Sequence, residues 1–287
     1  MLLHTVVTYT IFRGKTKLTE GHHYPRGKQM RIGLFIPCYI DAFFPEVGVA
    51  TLELLERLGC SVDYPFEQTC CGQPMANSGC QEDAAATEAQ FVRCFEGFDT
   101  VVGPSGSCVH HVRCHLDAIE QTPPVRKVRA GTRELIEFLH DDLKVEAFPW
   151  APAFPHKVGL HNSCSAVRGL GHARPSERVN EPYFSKTRDL LGKVAGLELV
   201  EIDRPDECCG FGGSFCVTDE AVSAKMGYDR VHDFDRHGVE YVASADMSCL
   251  LHMKGVIDRL KLPLKVIHIA QILNGGPFDR AAAKRVA

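Results

Sequence analysis

Ile32-Gly33-Leu34-Phe35-Ile36 is a short apolar run that ends at Pro37-Cys38, and Lys157-Val158-Gly159-Leu160-His161 is a second one that ends just before Cys164. Each reads as a buried strand that delivers the chain to a cysteine. Beyond Cys38 come Cys70-Cys71-Gly72 and then Cys108, in Pro104-Ser105-Gly106-Ser107-Cys108. Beyond Cys164 come Cys208-Cys209-Gly210 and then Cys249, in Ala245-Asp246-Met247-Ser248-Cys249. The first two steps are 32 and 44 positions, and the next two 37 and 40. A histidine follows each last cysteine by three residues, His111 and His252. Eight of the thirteen cysteines thus fall into two matched sets of four.

The segments between them repeat as well. In the first half, Val47 to Leu58 has helical spacing, Ser61 to Tyr64 reads as a strand, Ala84 to Phe95 as a helix and Thr100 to Val102 as a strand. Ser107 is placed to cap a helix with Cys108, and Thr132 to cap another from Arg133 to Leu139. In the second half, Glu177 to Val194 reads as largely helical, Leu197 to Ile202 as a strand and Ala221 to His237 as a helix. Val239 to Ala243 reads as a strand, with Ser248 capping a helix to Leu260, a strand at Lys265 to Ile267 and a helix at Ile269 to Leu273. Short apolar strands alternating with helices imply an α/β fold. We expect two tandem pseudo-repeated domains, each a small, mostly parallel sheet flanked by helices. The proline-rich Phe148 to Pro155 suits a linker. The expected division is an extension at 1–29, a first domain at 30–150 and a second at 151–287. The extension has no apolar period and is expected to be disordered or to precede the true start at Met30.

A formal charge of −4 gives no electrostatic reason to expect nucleic acid. No apolar run is long enough to cross a bilayer, so the chain is not expected to be transmembrane. Leu2 to Phe12 lacks the flanks of a signal peptide. A cytoplasmic location with reduced thiols is therefore expected, and an odd cysteine count suits a disulfide framework poorly.

In open α/β sheets, ligands gather at the carboxyl ends of strands. Cys38, Cys70, Cys71 and Cys108 are therefore the candidate ligands of one site, and Cys164, Cys208, Cys209 and Cys249 those of a second. Such thiolates suit iron–sulfur clusters, zinc or copper(I). Adjacent cysteines point to opposite faces of an extended strand, so a sharp turn is expected at Gly72 and at Gly210 for both members of each pair to face one cavity. Cys60 and Cys94 read as small core residues, and Cys80, Cys114 and Cys216 as structural. His161, at a strand end, reads as a core histidine with its hydrogen bonds satisfied, and a place beside the site is the alternative. Gly210-Phe211-Gly212-Gly213 lacks the lysine of a phosphate loop.

Cys70-Cys71-Gly72-Gln73-Pro74, Cys208-Cys209-Gly210-Phe211-Gly212-Gly213 and Ser248-Cys249-Leu250-Leu251-His252 resemble the motifs of the cysteine-rich CCG-domain family, over about Met30 to Gly275. That family includes iron–sulfur subunits of glycolate oxidase and a heterodisulfide reductase subunit. The resemblance is strongest to a two-repeat subgroup concerned with lactate utilization. It implies an iron–sulfur electron-transfer subunit of a complex oxidising L-lactate to pyruvate. It also implies two partner subunits, one of them carrying ferredoxin-type clusters. Where the heterodisulfide relative has a fifth cysteine, this chain has His111 and His252. The resemblance then implies a [4Fe–4S] cluster on four cysteines, one or two per chain, with His111 and His252 as neighbours or alternative ligands. Gly72 and Gly210 would supply close backbone approach. A structural zinc–thiolate protein and a thiol–disulfide reductase subunit are the alternatives.

Overall fold

The computed structural model describes residues 30–276, so the reading of residues 1–29 and the last eleven residues lie outside it. The chain runs through β1 (Arg31–Leu34), α1 (Cys38–Phe43), α2 (Pro45–Arg57), β2 (Ser61–Asp63), α3 (Gln73–Asn77) and α4 (Ala85–Phe95). It continues through β3 (Thr100–Gly103), α5 (Gly106–His115), α6 (Pro123–Gly131), β4 (Thr132–Glu134) and α7 (Leu135–Glu137), which runs into a π-helical turn at Phe138–Asp142. The second half holds β5 (Lys157–Leu160), a π-helical turn at Ser165–Gly169, α8 (Lys186–Leu191), β6 (Glu198–Leu199) and α9 (Phe215–Thr218). It closes with α10 (Glu220–Arg236), β7 (Tyr241–Ser244), α11 (Met247–Leu260), β8 (Lys265–His268) and α12 (Ile269–Asn274).

Each half builds a four-stranded sheet, ordered β2-β1-β3-β4 in the first and β6-β5-β7-β8 in the second. Every pairing in both is parallel. The fold is therefore α/β, with two tandem sheets of one topology flanked by helices. The registers agree too, since Leu34 faces Val102 and Leu160 faces Ala243.

Four local expectations change. Thr132 to Glu134 forms a strand rather than a helix start, because its backbone completes the ladder beside β3. The helix follows only after Glu134, whose carboxylate accepts from the Ile136 N–H at 2.6 Å. Helix in 177–194 is confined to α8, since Pro182 lies in the preceding stretch and Ser185 Oγ caps the helix at the Arg188 N–H. The strand expected at Leu197 to Ile202 shrinks to Glu198–Leu199. The residues capping α5 and α11 are Ser105 and Asp246, two positions ahead of Ser107 and Ser248. The hydroxyls of Ser107 and Ser248 instead donate to the Asp246 carboxylate, at 3.2 and 2.8 Å.

The main apolar core runs through both halves, joining Leu34, Leu54, Leu135 and Phe138 to Val158, Val242, Ile272 and Leu273. Burying each such side chain contributes roughly 1.5–3 kcal/mol. A smaller core, with Phe35, Phe91 and Phe95 at its centre, belongs to the first half alone. Helix α2 packs on α12 across the halves. Arg57 there donates to the Asn274 carbonyl at 2.8 Å and lies 3.9 Å from the Trp150 ring centroid. Trp150 Nε1 in turn donates to the Leu273 carbonyl at 2.9 Å. The proline-rich connection is thus packed against both halves.

Candidate metal centre

Parallel strands deliver their carboxyl ends to one side of a sheet, and the cysteines follow from that rule. Cys38 begins α1 four residues after β1, and Cys108 lies in the first turn of α5 after β3. Cys164 follows β5, and Cys249 lies in the first turn of α11 after β7. The paired cysteines sit on loops that turn at Gly72, φ +94°, and Gly210, φ +90°. L-residues rarely adopt that backbone, so glycine allows both sulfurs of a pair to face one side. Ser223 Oγ secures the second turn by donating to the Gly210 carbonyl at 2.8 Å.

All eight cysteines line one cavity of about 550 Å³. The expected tight loops and shared cavity are therefore present. Cys38 and Cys70 Sγ are 3.8 Å apart. Cys209 Sγ, Cys249 Sγ and a ring nitrogen of His161 lie within 4.8 Å of one another. The Gly210 N–H points at Cys208 Sγ and the Phe211 N–H at Cys209 Sγ, at 3.4 and 3.5 Å. The cavity wall crosses the two halves. Asp246 of the second accepts from the Ser107 N–H of the first at 2.8 Å, and outside the lining His268 Nε2 donates to the Pro104 carbonyl at 3.1 Å.

Burial and mutual repulsion set the electrostatics of the sulfurs. Cys70 is held well down by the Cys38 thiol, then by the Cys71 thiol and nearby backbone N–H groups. Cys38 is raised by its bond to Cys70 and by burial. Cys71 is raised by Cys108, Cys70 and burial. Cys164 is raised by Cys208 and then by burial. Cys208, Cys209 and Cys249 each receive a lowering thiol bond, from Cys164, Cys208 and Cys209 in turn, yet burial and charge repulsion push all three upward. Buried thiolates at this density require positive charge, and metal ions supply it by displacing the protons. Soft donors that converge in two sets fit a metal–sulfur centre.

The other named residues separate. His111 lines the cavity, and burial pushes it down to about 4; its Nε2 is 3.7 Å from Glu88 Oε1. His252 is not part of the cavity lining, and its Nε2 donates to the Ser223 carbonyl at 3.3 Å. Cys60 and Cys94 pack against the two cores, as expected. Cys80 and Cys114 are exposed, and the Cys216 thiol donates to the Gly213 carbonyl at 3.0 Å. Sequence reasoning missed three contributors: Asp246, His268 and Arg230. Arg230 left a signal, since Gly227, Arg230, Val231 and Phe234 follow the spacing of one helix face and all are buried. A charge on a buried stripe needs a partner, and its Nε donates to His161 Nδ1 at 3.2 Å.

Fold and site together define a duplicated α/β protein whose two halves face one sulfur-lined cavity. The cysteine-rich CCG domain matches it twice, at residues 32–113 and 158–254, and the chain belongs to that family. It is 40% identical to Lactate utilization protein A of Geobacillus kaustophilus (strain HTA426), over 85% of this chain and 99% of that one. It is 37% identical to Lactate utilization protein A of Bacillus subtilis (strain 168), with the same coverage. A hypothetical protein from Helicobacter pylori shares the fold, with a TM-score of 0.55 and 11% identity. That match covers 96% of this chain and 54% of the other, longer one.

Proposed function

We propose that this chain is an iron–sulfur electron-transfer subunit of a cytoplasmic complex that oxidises L-lactate to pyruvate. The observation that carries the reading is the convergence of all eight cysteines on one cavity between the halves. The relatives' name supports the lactate assignment. Cys38, Cys70, Cys71 and Cys108 would hold one [4Fe–4S] cluster and Cys164, Cys208, Cys209 and Cys249 another. Such clusters take up and release single electrons, and lactate oxidation to pyruvate yields two electrons and two protons. The protein's part is to bury the sulfurs, aim backbone N–H groups at them and place His111 against the first set. Two partner subunits, one with ferredoxin-type clusters, would complete the electron path. Among the described residues, no helix is long and apolar enough to cross a membrane.

Anaerobic purification with iron, sulfide and zinc analysis, visible absorption and electron paramagnetic resonance tests the reading. A brown protein with iron and sulfide in equal amounts is expected, and Cys209→Ser should lose iron and alter the resonance signal. A colourless protein carrying zinc would overturn the reading in favour of a structural site. Turnover of a disulfide substrate without any effect on lactate oxidation would favour a thiol–disulfide reductase.

A further inference from the structure

The two halves repeat in backbone but differ in what stands behind their sulfurs. The Phe35 N–H donates to the Val102 carbonyl at 2.9 Å, and the His161 N–H donates to the Ala243 carbonyl at 2.8 Å. Both residues follow the last residue of their strand and precede their cysteine, Cys38 or Cys164, by three positions. They occupy one place in the repeat. Their partners are equivalent too. A Cβ on Gly33 would strike Phe95, and one on Gly159 would strike Phe234. One helical turn before those two phenylalanines stand Phe91 and Arg230. Phe35 and Phe91 meet edge to face, with centroids 4.9 Å apart. In the second half the same pair of places holds an imidazole and a guanidinium.

That exchange fixes a proton. A guanidinium only donates, so His161 Nδ1 accepts from Arg230 Nε and the ring proton of neutral His161 resides on Nε2. Arg230 has no freedom to turn away. It is fully buried, donates to the Arg204, Leu160 and Pro205 carbonyls and pairs with Asp233 Oδ2 at 3.4 Å. Among the described residues, His161 Nε2 is buried and has no hydrogen-bond partner. His161 does not line the cavity; it stands behind it, beside Cys209 and Cys249. A buried donor with no acceptor is costly, and the Cys209 and Cys249 sulfurs lie within 4.8 Å of a nitrogen of the same ring.

Resting on the electron-transfer reading above, we infer that His161, locked as an Nε2–H donor by Arg230, is a positioning residue that donates to the Cys209 and Cys249 sulfurs once they are ligating thiolates, and that it gives the second site the higher reduction potential. Reduction adds one negative charge to a site, and hydrogen bonds to its sulfurs stabilise the added charge. The first site has phenyl rings at the matching places, and its own imidazole, His111, has Nε2 3.7 Å from the Glu88 carboxylate instead of a ring nitrogen locked by a guanidinium. One electron on this chain therefore rests on the second site when the first is oxidised.

The test is a redox titration of the reconstituted full chain, followed by electron paramagnetic resonance. Cys71→Ser silences the first set and assigns the waves. Wild type should show two waves, the higher from the second site. His161→Phe, which copies the first half, should keep its iron and lower that wave by at least tenfold in the reduction equilibrium, about 59 mV for one electron. The other wave should stay. Arg230→Met should act in the same direction, and a folding defect in it leaves His161→Phe to decide. In the metal-free wild type, nitrogen-15 correlation spectra should show the His161 proton on Nε2. Iron and sulfide bound with neither wave moved by His161→Phe would overturn the inference and leave the electron-transfer reading intact. Iron lost from the second site in His161→Phe would also overturn it, showing a ligand rather than a donor. A wild type that binds no iron and sulfide would sink the reading and this inference with it.

Discussion

At the scale of single residues, the two glycine turns have the same backbone and different surroundings. A Cβ on Gly210 would lie 2.6 Å from Met226 Cβ and 2.7 Å from the Ser223 carbonyl. On Gly72 its nearest neighbour would be Glu88 Cγ at 3.3 Å, the middle of a bendable side chain. Both alanines suffer the left-handed backbone, which costs about 1–2 kcal/mol. Only Gly210→Ala also drives into backbone. We expect Gly210→Ala to lose more stability in urea unfolding than Gly72→Ala, and to lose thiol convergence in its half. Equal losses would show that the Ser223 carbonyl yields freely. The need for these turns was legible from adjacent cysteines, because period-two alternation cannot put both sulfurs on one face. The identity of the neighbours was not, since Met226 and Ser223 come from α10, and local patterning gives that helix but not its docking against the loop.

At the scale of elements, the strands and long helices were legible where apolar period and stop signals agreed, as in α2 and α10. They were not legible where a tertiary partner decided. Thr132–Glu134 looks like a capped helix until β3 offers it a ladder. Helix α12 shows how much a cap can hold. His268 Nδ1 accepts from the Ala270 N–H at 3.1 Å while its Nε2 donates to Pro104 in the other half. Burial, partly offset by its backbone bonds, pushes His268 down to about 4. In the unfolded chain it takes up a proton near its ordinary value of about 6.5. Between those values the unfolded state binds more protons, so stability rises with pH. The contribution is present above about 6.5 and is lost as pH falls toward about 4, on the order of 3 kcal/mol. His268→Asn keeps a capping acceptor and a donor but does not titrate. Urea unfolding at a series of pH values should show a shallower fall for this variant across that window. His111 is also held to about 4, so the slope should shrink without vanishing.

At the scale of the whole molecule, the question is whether two sheets make two folding units. The division at 150/151 separates the sheets cleanly, because β4 precedes it and β5 follows it. The packing does not follow the division. One apolar core contains Leu54 and Leu135 of the first half with Leu160 and Leu273 of the second. Trp150, at the boundary itself, is held by Arg57 from one side and Leu273 from the other. Asp246 with Ser107 in the cavity lining, and His268 with Pro104 outside it, add polar contacts between the halves, all four residues buried or half-buried. Opening the halves would expose leucine and phenylalanine surface and take from the Asp246 carboxylate its two Ser107 donors. Both penalties fall on either half at once, which couples the folding of one to the other. We therefore expect calorimetry of the metal-free chain to give one transition, with calorimetric and van't Hoff enthalpies equal. Residues 30–150 expressed alone should keep helical circular dichroism, lose near-ultraviolet signal and bind a hydrophobic dye. Two separate transitions in the full chain, or a cooperatively melting isolated half, would show that each sheet folds by itself and that the shared cavity is assembled by docking.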